Sequence, residues 1–172
     1  KFLRPDGHIV LNGDDDKLAT VKGHEEIKPV FFGMDKDCQV YGDEIVSRGL
    51  KGMTCMIHMG DTAFKVDIPM PGRHMVYNAL AAAAVTLWVG VPADKLQHAL
   101  EHLKINGRME IVYTSEKCCV IVDYAHNAVS MESLLETLRE YHPKRLVVVF
   151  GCGGNRSKDR RYSMGEIGGR MA

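Results

Sequence analysis

Three stretches hold residue types able to do chemistry. The first is Asp123-Tyr124-Ala125-His126, directly after the β-favouring run Val120-Ile121-Val122. A carboxylate just past the carboxyl end of a strand stands where open α/β sheets bind their ligands, and it can accept two hydrogen bonds from a ribose diol. Capping the local turn is an equally good use for it. A tyrosine and a histidine alongside make three polar or aromatic groups at one strand exit, which favours a site. The second stretch is Gly151-Cys152-Gly153-Gly154-Asn155-Arg156, after Leu146 to Phe150. Glycines after a strand let backbone N–H groups approach a phosphate or carboxylate. The stretch is not the dinucleotide fingerprint, because Arg156 stands where the third glycine belongs and the strand before it is the second of its unit. A flexible turn and an anion cradle both fit the glycines alone. The third stretch puts four cations, Arg156, Lys158, Arg160 and Arg161, within six residues. Arginine grips carboxylates and phosphates with a two-pronged donor set, so the loop reads as anion-receiving against the alternative of a solvated charge run.

Single residues add less. Arg108 follows Asn106-Gly107 at an expected domain boundary, where it can close onto a nucleotide or simply be a linker charge. Asn78 lies in an Ala- and Leu-rich helical stretch, and a buried amide there needs partners. It can bond a base edge or tie two helices together, and spacing alone favours the tie. His98 and His102 are four apart but have no third ligand, so they read as a solvated helix face and no metal site is expected. No G-x-x-x-x-G-K-[ST] phosphate loop occurs, so the main grip on any ATP phosphates is expected elsewhere.

The elements that must position these groups fall into two parts. The first third reads as short strands at Ile9–Leu11, Val30–Phe32, Val40–Tyr41, Cys55–Ile57 and Phe64–Ile68, with a hairpin at Gly60-Asp61 and a turn at Asn12-Gly13-Asp14-Asp15-Asp16. This predicts a small antiparallel sheet, with no chemistry legible in residues 1–70. Two helices follow: His74 to Val89, stopped by Gly90, and one opened by Pro92 and Asp94 with Leu96, Ala99, Leu100 and Leu103 on one face and ended by Asn106-Gly107. The last third reads as βαβ: a buried strand Val120–Val122, a helix capped by Asn127 or Ser130 with Met131, Leu134, Leu135, Leu138 and Tyr141 inward, then a parallel strand Leu146–Phe150. The basic segment becomes helical near Tyr162. The overall class is α/β.

Composition sets the bounds. The 172 residues are 45% hydrophobic and 26% charged, which excludes disorder. Lys+Arg and Asp+Glu balance at 22 each, which argues against a nucleic-acid or membrane-surface binder. Lys1 to His8 carries no apolar run, so no signal peptide is expected, and Met75 to Val91 falls short of the roughly 20 residues a membrane span needs. Five cysteines without a CxxC pair read as free thiols in a reducing cytoplasm. The chain starts without Met and stops inside an expected helix, which suits a piece of something larger.

Four motifs in order, Met75-Val76-Tyr77-Asn78-Ala79-Leu80-Ala81-Ala82, Asn106-Gly107-Arg108-Met109-Glu110, Val122-Asp123-Tyr124-Ala125-His126-Asn127 and Val149-Phe150-Gly151-Cys152-Gly153-Gly154-Asn155-Arg156-Ser157-Lys158, together resemble the Mur ligase family, and its MurE-type branch best. The Asn12-Gly13-Asp14-Asp15 turn resembles a further family signature. The resemblance implies that residues 1–106 are the later part of the central ATPase domain and 107–172 the first part of a C-terminal Rossmann-like domain. It implies ATP-dependent amide-bond formation, adding diaminopimelate or lysine to UDP-MurNAc-dipeptide through an acyl phosphate, with ATP and Mg²⁺ required and the metal ligands lying outside this chain. The partners are then ATP, the UDP-MurNAc-peptide and the amino acid. The chain alone is expected to be inactive. The resemblance further implies that Asn78 contacts the adenine, Arg108 the nucleotide and Asp123 the ribose. Tyr124 and His126 line the same pocket, and Arg161, with Lys158 in the same loop, holds the incoming amino acid's carboxylate. Met75, Ala128 and Tyr162 depart from residues usual in relatives, Asn, Pro and Pro respectively, and Met75 removes a polar group near the base. Folylpolyglutamate or cyanophycin synthetase, another Mur ligase, and a non-catalytic nucleotide-binding module are the competing readings.

Overall fold

The computed structural model describes residues 4, 7–21, 29–154 and 158–172. The chain divides into two compact units, Lys1–Lys104 and Ile105–Ala172.

The first unit is a five-stranded sheet with two longer helices. Its strands are β1 (Val10–Asn12), β2 (Val30–Gly33), β3 (Val40–Ser47), β4 (Met53–Met59) and β5 (Thr62–Ile68), in that spatial order. β1, β2 and β3 run parallel, and β3, β4 and β5 form an antiparallel meander. The antiparallel expectation therefore holds for β3 to β5, whereas β1 and β2 join in parallel. β1 and β2 are joined by residues 13–29, which include helix α1 (Asp16–Ala19) and are long enough for a parallel return, while β4 and β5 are joined by a tight turn. Gly60 sits in that turn with φ +57°, a conformation that favours glycine.

Alternation along β4 sends Met53, Cys55, Ile57 and Met59 into the core. Helix α2 (Arg73–Val89) covers that face with Met75, Val76, Ala79, Leu80, Ala83 and Ala84. Ile57, Val76 and Leu80 are fully enclosed, each worth about 1.5–3 kcal/mol of burial. A Cβ on Gly42 would come within 3.2 Å of Leu80, so glycine lets the helix settle close to β3. Gly90 closes α2 in the left-handed conformation, with its own amide and that of Val91 turned back onto Leu87 and Thr86 carbonyls. Helix α3 (Ala93–Glu101) buries Leu96 and Leu100, and Gln97 Nε2 donates to the Lys65 carbonyl of β5 at 2.9 Å. It ends at Glu101, five residues before Asn106-Gly107, which form a separate turn.

The second unit begins with an antiparallel hairpin, β6 (Glu110–Thr114) and β7 (Cys119–Val122). β6 was not foreseen, and β7 is largely exposed instead of buried. Helix α4 (Ala128–Arg139) starts at a reciprocal capping box: Asn127 Oδ1 accepts from the Ser130 amide at 2.9 Å, and Ser130 Oγ accepts from the Asn127 amide at 3.3 Å. Met131 and Leu135 point inward as expected and meet Met164 and Ile167 of helix α5 (Asp159–Met171). The parallel strand expected at Leu146–Phe150 does not form. Leu146 and Val148 pack on α4 and α5, but among the described residues no strand pairs with the run, and Val147 and Val149 are 63% and 93% exposed. A strand needs a neighbour to take its amides and carbonyls. Between the run and β7 lies a groove of about 600 Å³, floored by Met131, Leu134, Leu135 and Leu138. The βαβ expectation is thus met in its first strand and helix only. Among the described residues no helix is long and apolar enough to cross a membrane.

Candidate functional site

Asp123 follows β7 directly, and its carboxylate is already committed to the backbone. Oδ2 accepts from the Met109 amide at 2.9 Å and Oδ1 from the Ala125 amide at 2.7 Å. The first bond joins the start of the hairpin to its exit. It also holds Met109, buried and at φ +46°, in a left-handed conformation that costs a non-glycine residue about 1–2 kcal/mol. A carboxylate has about four lone-pair sites, so two remain for a ligand. The turn-capping use of Asp123 is therefore present, and it leaves room for the ribose-binding one.

Around Asp123 the unit gathers the other expected groups. The Arg108 guanidinium lies 4.9 Å from the Tyr124 ring centroid, and the Tyr124 and His126 rings are 5.4 Å apart. His126 is turned by a 3.2 Å contact from Nδ1 to the Tyr124 carbonyl, and Arg160 Nη1 donates to the His126 carbonyl at 3.4 Å. Arg108, Tyr124 and His126 are all exposed, so stacking area and cationic charge are open to a ligand. Asp123, Tyr124, His126, Gly151, Gly153 and Arg160 form the polar rim of the groove beside β7.

Lys158 and Arg161 stand at the start of α5, with Arg160 between them and Asp159 as the one acidic neighbour. Three cations at a helix N-terminus oppose the helix dipole, an arrangement that an anion relieves. Arg161 Nη2 donates to the Gly154 carbonyl at 2.8 Å, which fastens the glycine turn to the helix, and Lys158 is exposed. Arg156 lies outside the described residues.

Asn78 belongs to the first unit and sits on the exposed side of α2. The expectation of a buried amide tying helices together is corrected: its Nδ2 meets the Met75 sulfur at 3.7 Å, a weak acceptor, and its remaining capacity faces outward. Met75 itself is buried, so its departure from the usual residue is absorbed by the core.

Sequence reasoning missed the Asp14–Tyr77 pair. Tyr77 donates to Asp14 Oδ2 at 2.8 Å, and burial together with that carboxylate pushes the phenol up to about 12. The signal was available in the aspartate two residues past β1, at the same kind of strand exit as Asp123. Cys55, on the buried face of β4, has its thiol pushed up to about 11 by desolvation, with the Asp43 and Asp67 carboxylates adding to it. Among the described residues no group of three or more His, Cys, Asp or Glu stands together as a metal site.

Residues 1–86 match the family described as Mur ligase middle domain, and residues 107–172 match Mur ligase, glutamate ligase domain. The chain belongs to the Mur ligase family. It is 35% identical, over 95% of its length and 34% of the relative, to the UDP-N-acetylmuramoyl-L-alanyl-D-glutamate--2,6-diaminopimelate ligase of Alkaliphilus oremlandii. The Bacillus velezensis ligase of the same name is also 35% identical, over 95% of this chain and 33% of the relative. The chain thus spans about a third of the curated relatives it matches. Among solved structures, MurF from Acinetobacter baumannii superposes with TM-score 0.69 at 25% identity, covering 78% of this chain and 30% of that one. MurC from Thermotoga maritima gives TM-score 0.63 at 25% identity, covering 83% and 33%. These likenesses place the mixed α/β architecture within the Mur ligase fold.

Proposed function

We propose that this chain supplies the nucleoside-holding and amino-acid-holding parts of an ATP-dependent ligase of peptidoglycan synthesis, one that joins diaminopimelate or lysine to UDP-MurNAc-dipeptide in the cytoplasm. We place the domain boundary at 106/107. The observation that carries the reading is the Asp123 exit, where a pinned carboxylate with spare lone pairs stands beside the Arg108–Tyr124 stack. The diaminopimelate ligases that resemble 95% of the chain at about 35% identity support the choice of reaction.

A carboxylate is a poor acyl donor because oxide is a poor leaving group. Attack of the carboxylate oxygen on the ATP γ-phosphorus releases ADP and leaves an acyl phosphate. The amino acid's amine then attacks the carbonyl carbon, phosphate departs with the C–O bond electrons, and the nitrogen loses a proton. In this scheme Asp123 accepts from the ribose hydroxyls, and Tyr124 and His126 offer ring faces to the nucleoside. Asn78 can both donate and accept at the adenine edge. Arg108 offsets nucleotide charge, and Arg161 with Lys158 receives the amino acid's carboxylate. Their contribution is positioning. No step here runs through Mg²⁺, whose ligands and the phosphate loop belong to other parts of such an enzyme.

Titration of the ¹⁵N-labelled chain with millimolar ATP tests the reading. Amide shifts are expected at Asn78, Arg108, Asp123, Tyr124 and His126, and diaminopimelate is expected to move Lys158 and Arg161. Unmoved signals at all of these positions overturn it. ADP release with precursor and amino acid is expected to be absent for this chain alone, and ligation by it would overturn that assignment of parts.

A further inference from the structure

We propose that Asp14 and Tyr77 form a positioning bracket that sets the rotation of α2 and thereby aims Asn78 at the adenine; the proposal rests on the nucleotide reading above. One carboxylate ties three pieces of the first unit together. Asp14 Oδ2 accepts from the Met34 amide at 2.7 Å and from the Tyr77 hydroxyl at 2.8 Å, and Oδ1 accepts from the Asp35 amide at 3.3 Å. Asp14 lies just past β1, Met34 and Asp35 just past β2, and Tyr77 in the early part of α2. The bracket therefore spans the carboxyl ends of two parallel strands, the edge at which open α/β sheets bind ligands.

The surroundings are shaped for that carboxylate. A Cβ on Gly33 would lie 2.6 Å from Asp14 Oδ1, so a side chain there would displace it. Helix α2 has no side-chain cap at its start, and its buried face is rich in alanine. That face sets its alanines between Met75, Val76 and Leu80, and because apolar burial is non-directional the Tyr77 bond adds a directional restraint to their packing. A hydrogen bond from a rigid phenol to a carboxylate held by two amides fixes the helix's rotation well. Residues 77 and 78 are neighbours about 100° apart around the helix, so setting Tyr77 sets Asn78.

The test is Tyr77→Phe, which keeps the ring and removes only the hydroxyl. Binding of ATP and GTP is followed by ¹⁵N spectra in the 172-residue chain, with the Asn78 side-chain amide as the reporter. Tyr77→Phe is expected to weaken ATP about tenfold, to erode the preference for ATP over GTP, and to shift the free-state Asn78 side-chain signals while the rest of the spectrum stays dispersed. The double variant with Asn78→Ala is expected to bind no worse than Asn78→Ala alone, because Tyr77 acts through Asn78. A purely structural hydroxyl would instead lower affinity by the same factor in both backgrounds, and that result overturns the bracket. Wild-type affinity and preference in Tyr77→Phe overturn it too. Should Tyr77→Phe lose its dispersed spectrum, Asp14→Asn carries the same comparison, keeping one acceptor oxygen and giving an intermediate loss. Absence of any ATP effect on the wild-type chain removes the nucleotide reading itself, and the bracket with it; that outcome is seen before any variant is made.

Discussion

Replacing Asp123 by Asn exchanges one carboxylate oxygen for an NH₂ group. The carboxylate receives two amides, from Met109 at 2.9 Å and from Ala125 at 2.7 Å. Hydrogen bonds to a charged acceptor contribute about 1.5–3 kcal/mol each, and neutral ones about 0.5–1.5. Asparagine keeps one bond in its weaker neutral form and turns a donor against the other amide. The loss is then about 2–4 kcal/mol, with the positive-φ backbone at Met109 released from its restraint. Small domains are stable by roughly 0.05–0.15 kcal/mol per residue, so this is a large share of what a unit running from Ile105 to Ala172 can hold. Urea unfolding separates the units by probe. The single tryptophan, Trp88, belongs to the first unit and reports it by fluorescence, while far-UV circular dichroism also reads α4 and α5. Asp123→Asn is expected to move the dichroism midpoint to lower urea and leave the Trp88 transition in place. An unchanged dichroism midpoint would refute the reasoning that Asp123 braces its own turn.

Three further outcomes follow from the same structure. Leu135, 1% exposed in a core of few large side chains, is expected to cost about 2–5 kcal/mol on replacement by alanine, read as loss of the dichroism transition that α4 and α5 share. Val149→Lys puts a charge on a run that pairs with no described strand. Wild-type protein is expected to self-associate with concentration in sedimentation velocity and the variant far less, so equal behaviour would show that this edge does not template pairing. The Tyr77 phenol has its pKa raised from 10.0 to about 12 in the folded chain, so its stabilisation is fully present below pH 10 and fades as pH climbs through about 12. The stability gap between wild type and Tyr77→Phe should be constant from pH 7 to 9 and shrink from pH 10 upward; a constant gap to pH 11.5 would contradict the Asp14 bond.

What could be read from residue order is what depends on local pattern. The β4–β5 hairpin was legible at Gly60-Asp61, α2 in its Ala and Leu run with Gly90 as its stop, and α4 in Asn127 and the spacing of Met131 and Leu135. Each is decided by residues within one or two turns of one another. Pairing direction was not legible, because β1 and β2 owe their parallel arrangement to a connection whose path is not encoded in either strand. The run Leu146–Phe150 carries the strand pattern in full yet forms no ladder, since backbone pairing requires a second chain segment and not only the right side chains. At the candidate site the residue types were legible and their bonding was not. Nothing local to Asp123 announces that the amide of Met109, fourteen residues back, will reach it. Asn78 reads as buried from its apolar neighbours, but the helical period turns it outward between Tyr77 and Ala79.

The two aspartates at strand exits show why turn capping and ligand binding are poor alternatives to set against each other. Asp14 follows β1 and takes two amides from the end of β2; Asp123 follows β7 and takes one amide from its own turn and one from the start of the hairpin. In both places the carboxylate first fixes the backbone of the sheet edge, and only because it is fixed can its remaining lone pairs, or the side chain beside it, meet a ligand in one geometry. A free carboxylate at the same position would have to lose rotamer freedom on binding, a cost of order 1 kcal/mol per side chain that the folded edge has already met. By that argument Asp123→Asn, which keeps one acceptor oxygen but turns a donor against one of the two amides, should weaken nucleoside binding nearly as much as Asp123→Ala; near-wild-type affinity in Asp123→Asn by titration would contradict it.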